Sequence, residues 1–245
     1  MPHIEIAAAP IAFLFGIPIT NTLLMSTIAV AALALLAFLF LRQTSLIPTP
    51  IQNAFEMLVE MVLGMMEGVF GSRERAEQFF PVIATIFFFV LASNWLGILP
   101  GIGSIGFYEF ANSETTFIPL FRSAASDINF TLALAIIAVF SVHTFGVAAI
   151  GVSSHISKFI SFRGPIEFFV GILELISEIA KMVSFSFRLF GNVFAGEVLL
   201  VITGFLIPYA VPVPFLMLEL FVGFIQALVF AMLTMVFTSI AVSHH

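Results

Sequence analysis

The stretch that decides the fold is Gly164–Leu206, which reads GPIEFFVGILELISEIAKMVSFSFRLFGNVFAGEVLLVITGFL. After Gly164-Pro165 it stays compatible with helix to its end. Its 43 residues would reach about 65 Å as a helix. The hydrocarbon core of a bilayer is only about 30 Å thick. Such a helix must be steeply inclined, broken, or half outside the membrane. It also carries Glu167, Glu174, Glu178, Lys181, Arg188, Asn192 and Glu197. An Arg at the centre of a span costs about 2.5–3.5 kcal/mol even on the insertion scale, so an intramembrane cation is a functional hypothesis by default.

The directions of these side chains are informative at 100° per residue. Lys181 points nearly the same way as Arg188. Glu174 and Asn192 lie about 40° off, and Glu197 about 180° away. Arg188, Lys181, Glu174 and Asn192 therefore share one polar stripe, while Glu197 faces elsewhere. In the next apolar run Glu219 and Gln226 are seven apart and share a face. Glu197 and Glu219 thus fall near the outer end of two neighbouring helices, with Arg188 deeper.

The rest of the chain agrees with a membrane setting. Of 245 residues, 61% are hydrophobic and 9% charged; Phe occurs 32 times, and the mean hydropathy is +1.19. An average soluble domain is about 45–50% apolar and about 25% charged, and one core of this size could not hide so much apolar surface. The fold class expected is an all-α integral membrane protein, one membrane domain over residues 1–245. Five spans are predicted at about 20–41, 79–99, 128–152, 164–206 and 212–242, the last two long and inclined to the membrane. The first has neither a cationic start nor a cleavage site after it, and reads as an anchor rather than a removable signal. Five spans do not divide into the inverted halves of many transporters. Residues 50–71 differ: Glu56, Glu60 and Glu67 occupy one helical sector against Phe55, Leu58, Val59, Val62, Leu63 and Phe70. That pattern predicts an amphipathic helix on the membrane surface or on a neighbour, and its acidic face fits a protein contact better than anionic lipid.

Cationic residues set the orientation. Arg42, Arg73 and Arg75 follow the first span, and Lys158 and Arg163 the third; the opposite side holds only Arg122. The N-terminus is expected outside and the C-terminus in the cytoplasm or matrix. With Lys plus Arg at 8, Asp plus Glu at 14 and a net charge of −6, a nucleic-acid partner is not expected. The absence of Cys rules out disulfides, thiolate metal sites and Cys nucleophiles. Gly101-Ile102-Gly103-Ser104-Ile105-Gly106 matches a dinucleotide fingerprint, but that motif has meaning only between a strand and a helix; here it follows a span and reads as a turn. With no P-loop, zinc motif or nucleophile elbow, neither cofactor nor direct nucleotide binding is expected. His143, among Phe140, Val142 and Phe145, reads either as a hydrogen-bonded core histidine or as a proton relay. His155, His244 and His245 read as interfacial or tail residues.

Ser186-Phe187-Arg188-Leu189-Phe190-Gly191-Asn192, continued by Ala195-Gly196-Glu197, closely resembles the signature of the F-type ATP synthase subunit a family. Asn94-Trp95-Leu96-Gly97-Ile98-Leu99-Pro100-Gly101 is similar to that family's end of a span, Asp127-Ile128-Asn129-Phe130-Thr131 to its D-x-N-x-T element, and Gln226 to its glutamine on the last helix. The resemblance covers nearly the whole chain and looks like the alphaproteobacterial or mitochondrial branch.

It implies the stator half of a proton-driven rotary motor, in the inner membrane of a bacterium or a mitochondrion. The implied partners are a ring of c subunits against the two long helices, subunit b of the peripheral stalk, the rest of the Fo/F1 complex, and lipid. Two offset aqueous half-channels would carry protons to and from the ring carboxylates, and Arg188 would prevent a short circuit between them. The resemblance implies Glu197 and Glu219 for the outer path, with Asp127 and Asn129 either extending it or only capping a helix. Asn192 and Gln226 would hold water or orient Arg188, and Glu174, Glu178 and Lys181 would lie toward the inner exit. In the family one of the positions of Glu197 and Glu219 is often His; here both are Glu, which favours a coupled pair. Proton is the expected coupling ion rather than sodium. The rival readings are an autonomous ion channel or transporter, which would conduct alone, and a membrane-bound acid–base enzyme, for which no basic headgroup site is found.

Overall fold

Long apolar runs fold as helices in a membrane because a helix satisfies every backbone donor and acceptor internally where no water can do so. The computed structural model describes residues 7–42, 49–99, 101–111, 114–159, 164–207 and 211–243. Pro100, Arg163 and His244–His245 lie outside the described residues. Strand β1 (Pro10–Leu14) pairs antiparallel with β2 (Ile17–Thr20) and leads directly into helix α1 (Asn21–Arg42). Helices α2 (Pro50–Phe70) and α3 (Arg73–Ile98) follow, then the antiparallel hairpin of β3 (Gly106–Ala111) and β4 (Glu114–Pro119). The chain continues through α4 (Ile128–Ile150), a short α5 (Val152–Phe159), α6 (Pro165–Leu206) and α7 (Pro212–Val242). Among the described residues, five helices (α1, α3, α4, α6 and α7) are long and apolar enough to cross a membrane; the protein is an all-α integral membrane protein.

The helix ends have local causes. At α2, Thr49 accepts from the backbone N–H of Gln52 at 3.3 Å and Pro50 occupies the first turn. Gly71 closes the helix with φ 76°, its N–H donating to the Glu67 carbonyl at 2.9 Å. The second apolar run becomes helical six residues before its expected start at 79, because the charged turn Arg73–Gln78 is itself helical, with Ala76 N–H donating to the Ser72 carbonyl at 3.1 Å. The third run ends at Ile150 rather than 152: Gly151 turns the chain with φ 82° before α5. The glycine-rich stretch after α3 forms a 3₁₀ turn, Ile102–Ser104, after Gly101 at φ 91°. It runs from a helix into a strand, the reverse of a dinucleotide fingerprint. The hairpins were not expected. The first turns on Phe15 (φ 50°) and Gly16 (φ 81°), positive at both positions as a two-residue hairpin loop requires.

The chain folds as two compact units, one made of Met1–Leu46, Phe87–Thr131 and Arg188–Leu228, the other of Ile47–Ile86, Leu132–Phe187 and Val229–His245. In the first, Phe87, Val90, Ala124, Ala125, Leu189 and Ala227 are buried. The Asn94-Trp95 pair fastens α3 to α7: Asn94 Nδ2 donates to the Gly223 carbonyl and Trp95 Nε1 to the Leu220 carbonyl, each at 3.0 Å. Gly223 permits that approach, since a Cβ there would stand 3.2 Å from the Asn94 Cβ.

The second unit is cored by Met66, Phe79, Ile83, Ala138 and Met235. Phe79 stacks on Phe70 with ring centres 5.0 Å apart and meets Phe145 edge-on at 4.9 Å. The apolar side of α2 (Val62, Leu63, Met66 and Phe70) is buried, while Glu56, Glu60 and Glu67 stay exposed. Arg73 reaches back from α3 to chelate Glu60 through two bonds of 2.5 and 3.0 Å and also meets Glu77 at 3.2 Å. The Arg73 hydrogen bond holds the Glu60 carboxyl below the usual carboxylate range.

Candidate functional site

The first unit gathers the carboxylates anticipated on α6 and α7 around a cation that was not anticipated. Glu219 on α7 is 7% exposed. Its carboxyl lies directly over Gly196 of α6, so a methyl at position 196 would overlap the carboxyl atoms. Glu197, the next residue, turns Oε1 to Arg122 Nε at 3.5 Å. Arg122 is buried and fixed from two further sides: Nη1 donates to the Ala7 carbonyl at 2.9 Å and Nε to Ser126 Oγ at 3.1 Å. A cavity of about 220 Å³ is lined by Glu197, Glu219, Arg122, Ser123 and Gly97 among others. Two atoms of lining residues, Glu197 Oε2 and Ser123 Oγ, are buried without a hydrogen-bond partner. Buried polar groups almost always find partners, ordered water included. Much of the lining is apolar (Ile98, Leu99, Val193, Leu200 and Val201 among it), so the place for water is the polar corner of Glu197, Glu219, Arg122 and Ser123.

Asp127 and Asn129 form a cap at the start of α4. Asp127 Oδ1 accepts from the Asn129 backbone N–H at 2.9 Å and from Asn129 Nδ2 at 3.1 Å, and Oδ2 accepts from Thr22 Oγ1 at 2.9 Å. Asp127 is buried and Asn129 exposed. The cap joins α4 to α1, and these two residues are not among those lining the cavity.

Arg188 is exposed on α6, and among the described residues it makes no hydrogen bond or ion pair. Two exposed positions on its face are small: Gly191 and Ala195 follow at the spacing of one helical face. Phe187 next to it is 55% exposed. Asn192 and Gln226 are half-buried.

In the second unit the charges form a chain. Lys181 Nζ donates to Glu178 Oε1 at 2.6 Å and sits 4.6 Å from the centre of the Phe237 ring. Glu178 Oε2 faces His143 Nε2 at 3.5 Å. On its other side His143 Nδ1 lies 3.1 Å from His155 Nε2. His155, expected at an interface, is 6% exposed. Burial, then the neighbouring His143 and Lys158, push its imidazole below the ordinary histidine range, against the pull of Glu178. Its ring lies over Gly146, where a Cβ would come within 2.8 Å of Cε1. Glu174, expected on the same path, is exposed and outside this chain.

Of the expected residues, Glu197 and Glu219 share one cavity, and Glu178, Lys181 and His143 share one chain of contacts. Arg122 and His155 were missed. Arg122 had been noticed only as the one cation on the wrong side of the charge asymmetry, which was the available signal.

Comparison with known proteins bears on the whole chain. The sequence model of the family described as ATP synthase A chain matches residues 23–239. ATP synthase subunit a of Mycobacterium marinum is 34% identical over 254 residues, spanning 99% of this chain and 97% of the relative. That of a Sulfurihydrogenibium species is 33% identical over 84% of this chain and 89% of its own length, and that of Helicobacter pylori 34% over 82% and 80%. With a match running through α1 to α7 and relatives similar over most of their length, the chain belongs to the ATP synthase A chain family.

Proposed function

We propose that this chain is the stator of the Fo motor, that it conducts protons along two separate paths to and from a ring of partner carboxylates, and that Arg188 is the gate between the paths. Family membership makes it a multi-pass component of the membrane sector of ATP synthase, a proton-translocating part rather than a catalytic one. The observation that carries the finer reading is Arg188, an exposed guanidinium on a membrane-spanning helix without an ion pair among the described residues. Intramembrane cations pair with something. Small residues on the same face let another helix come close, so the partner anion belongs to a neighbouring subunit.

The physical chemistry then runs in one direction. A carboxylate cannot travel through lipid as an anion at tolerable cost, so a ring carboxyl facing lipid carries its proton. Opposite Arg188 the ionised form is favoured and the proton leaves. A guanidinium suits the gate because it does not deprotonate and cannot relay a proton itself. Each elementary charge moving down 100 mV releases about 2.3 kcal/mol, which a short circuit would waste. The outer path is assigned to Glu197, Glu219 and the cavity between them, with Asp127 and Asn129 holding its frame. Asn192 and Gln226 orient water near Arg188. The inner path is assigned to Glu178, Lys181 and His143, with Glu174 exposed beside it. The ring of c subunits faces the Arg188 side of α6, and subunit b and the remaining Fo/F1 subunits complete the complex. Arg122, the one exception to the charge asymmetry, is buried and paired with Glu197. The remaining cations support an N-terminus outside and a C-terminus inside, in a bacterial plasma membrane or a mitochondrial inner membrane.

The test is ATP-driven acidification of inverted vesicles carrying either wild type or Arg188→Ala, with ATPase activity followed in parallel. Acidification should vanish while the complex still assembles. Intact pumping by the variant would overturn the gate assignment.

A further inference from the structure

Of the two histidines that meet in the second unit, only His143 stood out in the sequence. We propose that His155 is a second relay imidazole, and that Glu178, His143 and His155 hand protons in that order toward the corner between α4 and α5; the proposal rests on the two-path reading above.

Three observations carry it. The contacts are continuous: Glu178 Oε2 to His143 Nε2 at 3.5 Å, then His143 Nδ1 to His155 Nε2 at 3.1 Å. Each imidazole is engaged through the nitrogen that a relay would use, His143 through both. His155 Nδ1, the free end of the chain, is buried and without a hydrogen-bond partner. A histidine kept only for packing would bond both nitrogens or expose one. The fold also makes room for the pair: Gly151 at φ 82° reverses the chain so that residues twelve apart meet, and Gly146 leaves space for the His155 ring.

The step balances without any co-reactant. Glu178 Oε2, after taking a proton from the ring carboxyl, gives it to His143 Nε2; His143 releases the proton on its Nδ1 to Nε2 of His155, and His155 passes its Nδ1 proton to a water that must reach that nitrogen at the α4–α5 corner, where it has no protein partner. Both rings end neutral, in the other tautomer, and rotation of each ring restores the starting state. The groups facing the pair are Glu178 from α6 and Lys158 on α5, while Lys181 is occupied with the other Glu178 oxygen. Lys181 therefore fixes one carboxylate oxygen and leaves the second turned to His143, a positioning role.

The experiment uses the whole complex in inverted vesicles. His155→Ala and His143→Ala should each slow ATP-driven acidification by about a hundredfold, the low end of what a positioned proton-transfer group contributes. ATPase should slow in parallel if the motor stays coupled. Imidazole added to the medium should restore a substantial part of the His155→Ala rate, since a free imidazole can occupy the vacated space and carry protons. His155→Phe, which fills that space, should not be rescued. Wild-type pumping in His155→Ala, or a loss that imidazole leaves untouched in assembled complex, would overturn the relay. Arg188→Ala in the same preparation separates the two claims: if it stops pumping while both histidine variants pump normally, the stator reading stands and the relay falls.

Discussion

The two candidate sites handle charge in opposite ways. In the first unit, Glu197 and Glu219 border a cavity, and polar atoms of Glu197 and Ser123 lack protein partners. In the second, Lys181, Glu178, His143 and His155 follow one another in a chain of contacts. On the proposed reading, the first conducts through water held at its polar corner, and the second passes a proton from group to group along one line. A path through water tolerates small displacements of its walls, whereas a path through side chains loses function when any one link opens.

That difference can be broken or sharpened by substitution. Glu219→Gln should have the largest effect in the first unit, cutting ATP-driven acidification by about a hundredfold if its carboxyl itself carries protons; a fall of less than about threefold would mean that water alone conducts there. Arg122→Ala should come next. It removes the anchor of Glu197 and leaves the Ala7 carbonyl unpaired, costing the complex about 1–3 kcal/mol, because Glu197 is already 36% exposed and its contact is long at 3.5 Å. Thermal dissociation of the purified complex would show this, with Arg122→Lys recovering part of the loss. Gly196→Ala should cost about 1–2 kcal/mol as the Glu219 carboxyl moves aside, and should slow pumping less than Glu219→Gln does; an effect equal to Glu219→Gln would show that the carboxyl has no second place to go.

The corner around His155 should respond to acid. The His155 imidazole titrates below its ordinary value in the folded chain. The unfolded chain therefore takes up the proton first, and stability at this corner falls as pH drops through about 6.5 and below. Hydrogen exchange of the α5 amides, corrected for intrinsic rates, should be faster at pH 5.5 than at pH 8 by a modest factor. Equal protection would mean that His155 accepts a proton without penalty. The smallest effect is expected at Glu60→Gln: its ion pair with Arg73 is fully exposed, and such pairs contribute little, so thermal dissociation and pumping should both be unchanged.

The helices were legible because apolar runs of the right length leave a chain no alternative in a membrane, and the ends of α2, α6 and α7 fall close to where Pro and Gly mark them. Glu197 and Glu219 were legible because helical spacing and the family signature both single them out. The rest depended on contacts that spacing does not encode. Arg122 and Glu197 are far apart in sequence and on different elements. His155 meets His143 only because Gly151 turns the chain between them, and in a linear reading the short segment VSSHISKF is indistinguishable from an interfacial loop. The hairpins escaped notice for a related reason, since Phe15 at positive φ is a residue that no turn rule favours.

The bonds from Asn94 and Trp95 to the carbonyls of Gly223 and Leu220 have a mechanical consequence. The two carbonyls lie three residues apart, close to one turn of α7, so the side chains of α3 act like two teeth of a spline set into a shaft. A single contact would let α7 swivel about its own axis. Two in line resist both swivel and axial slip, and in the proposed stator role that is what would let a helix carrying Glu219 react torque without winding up.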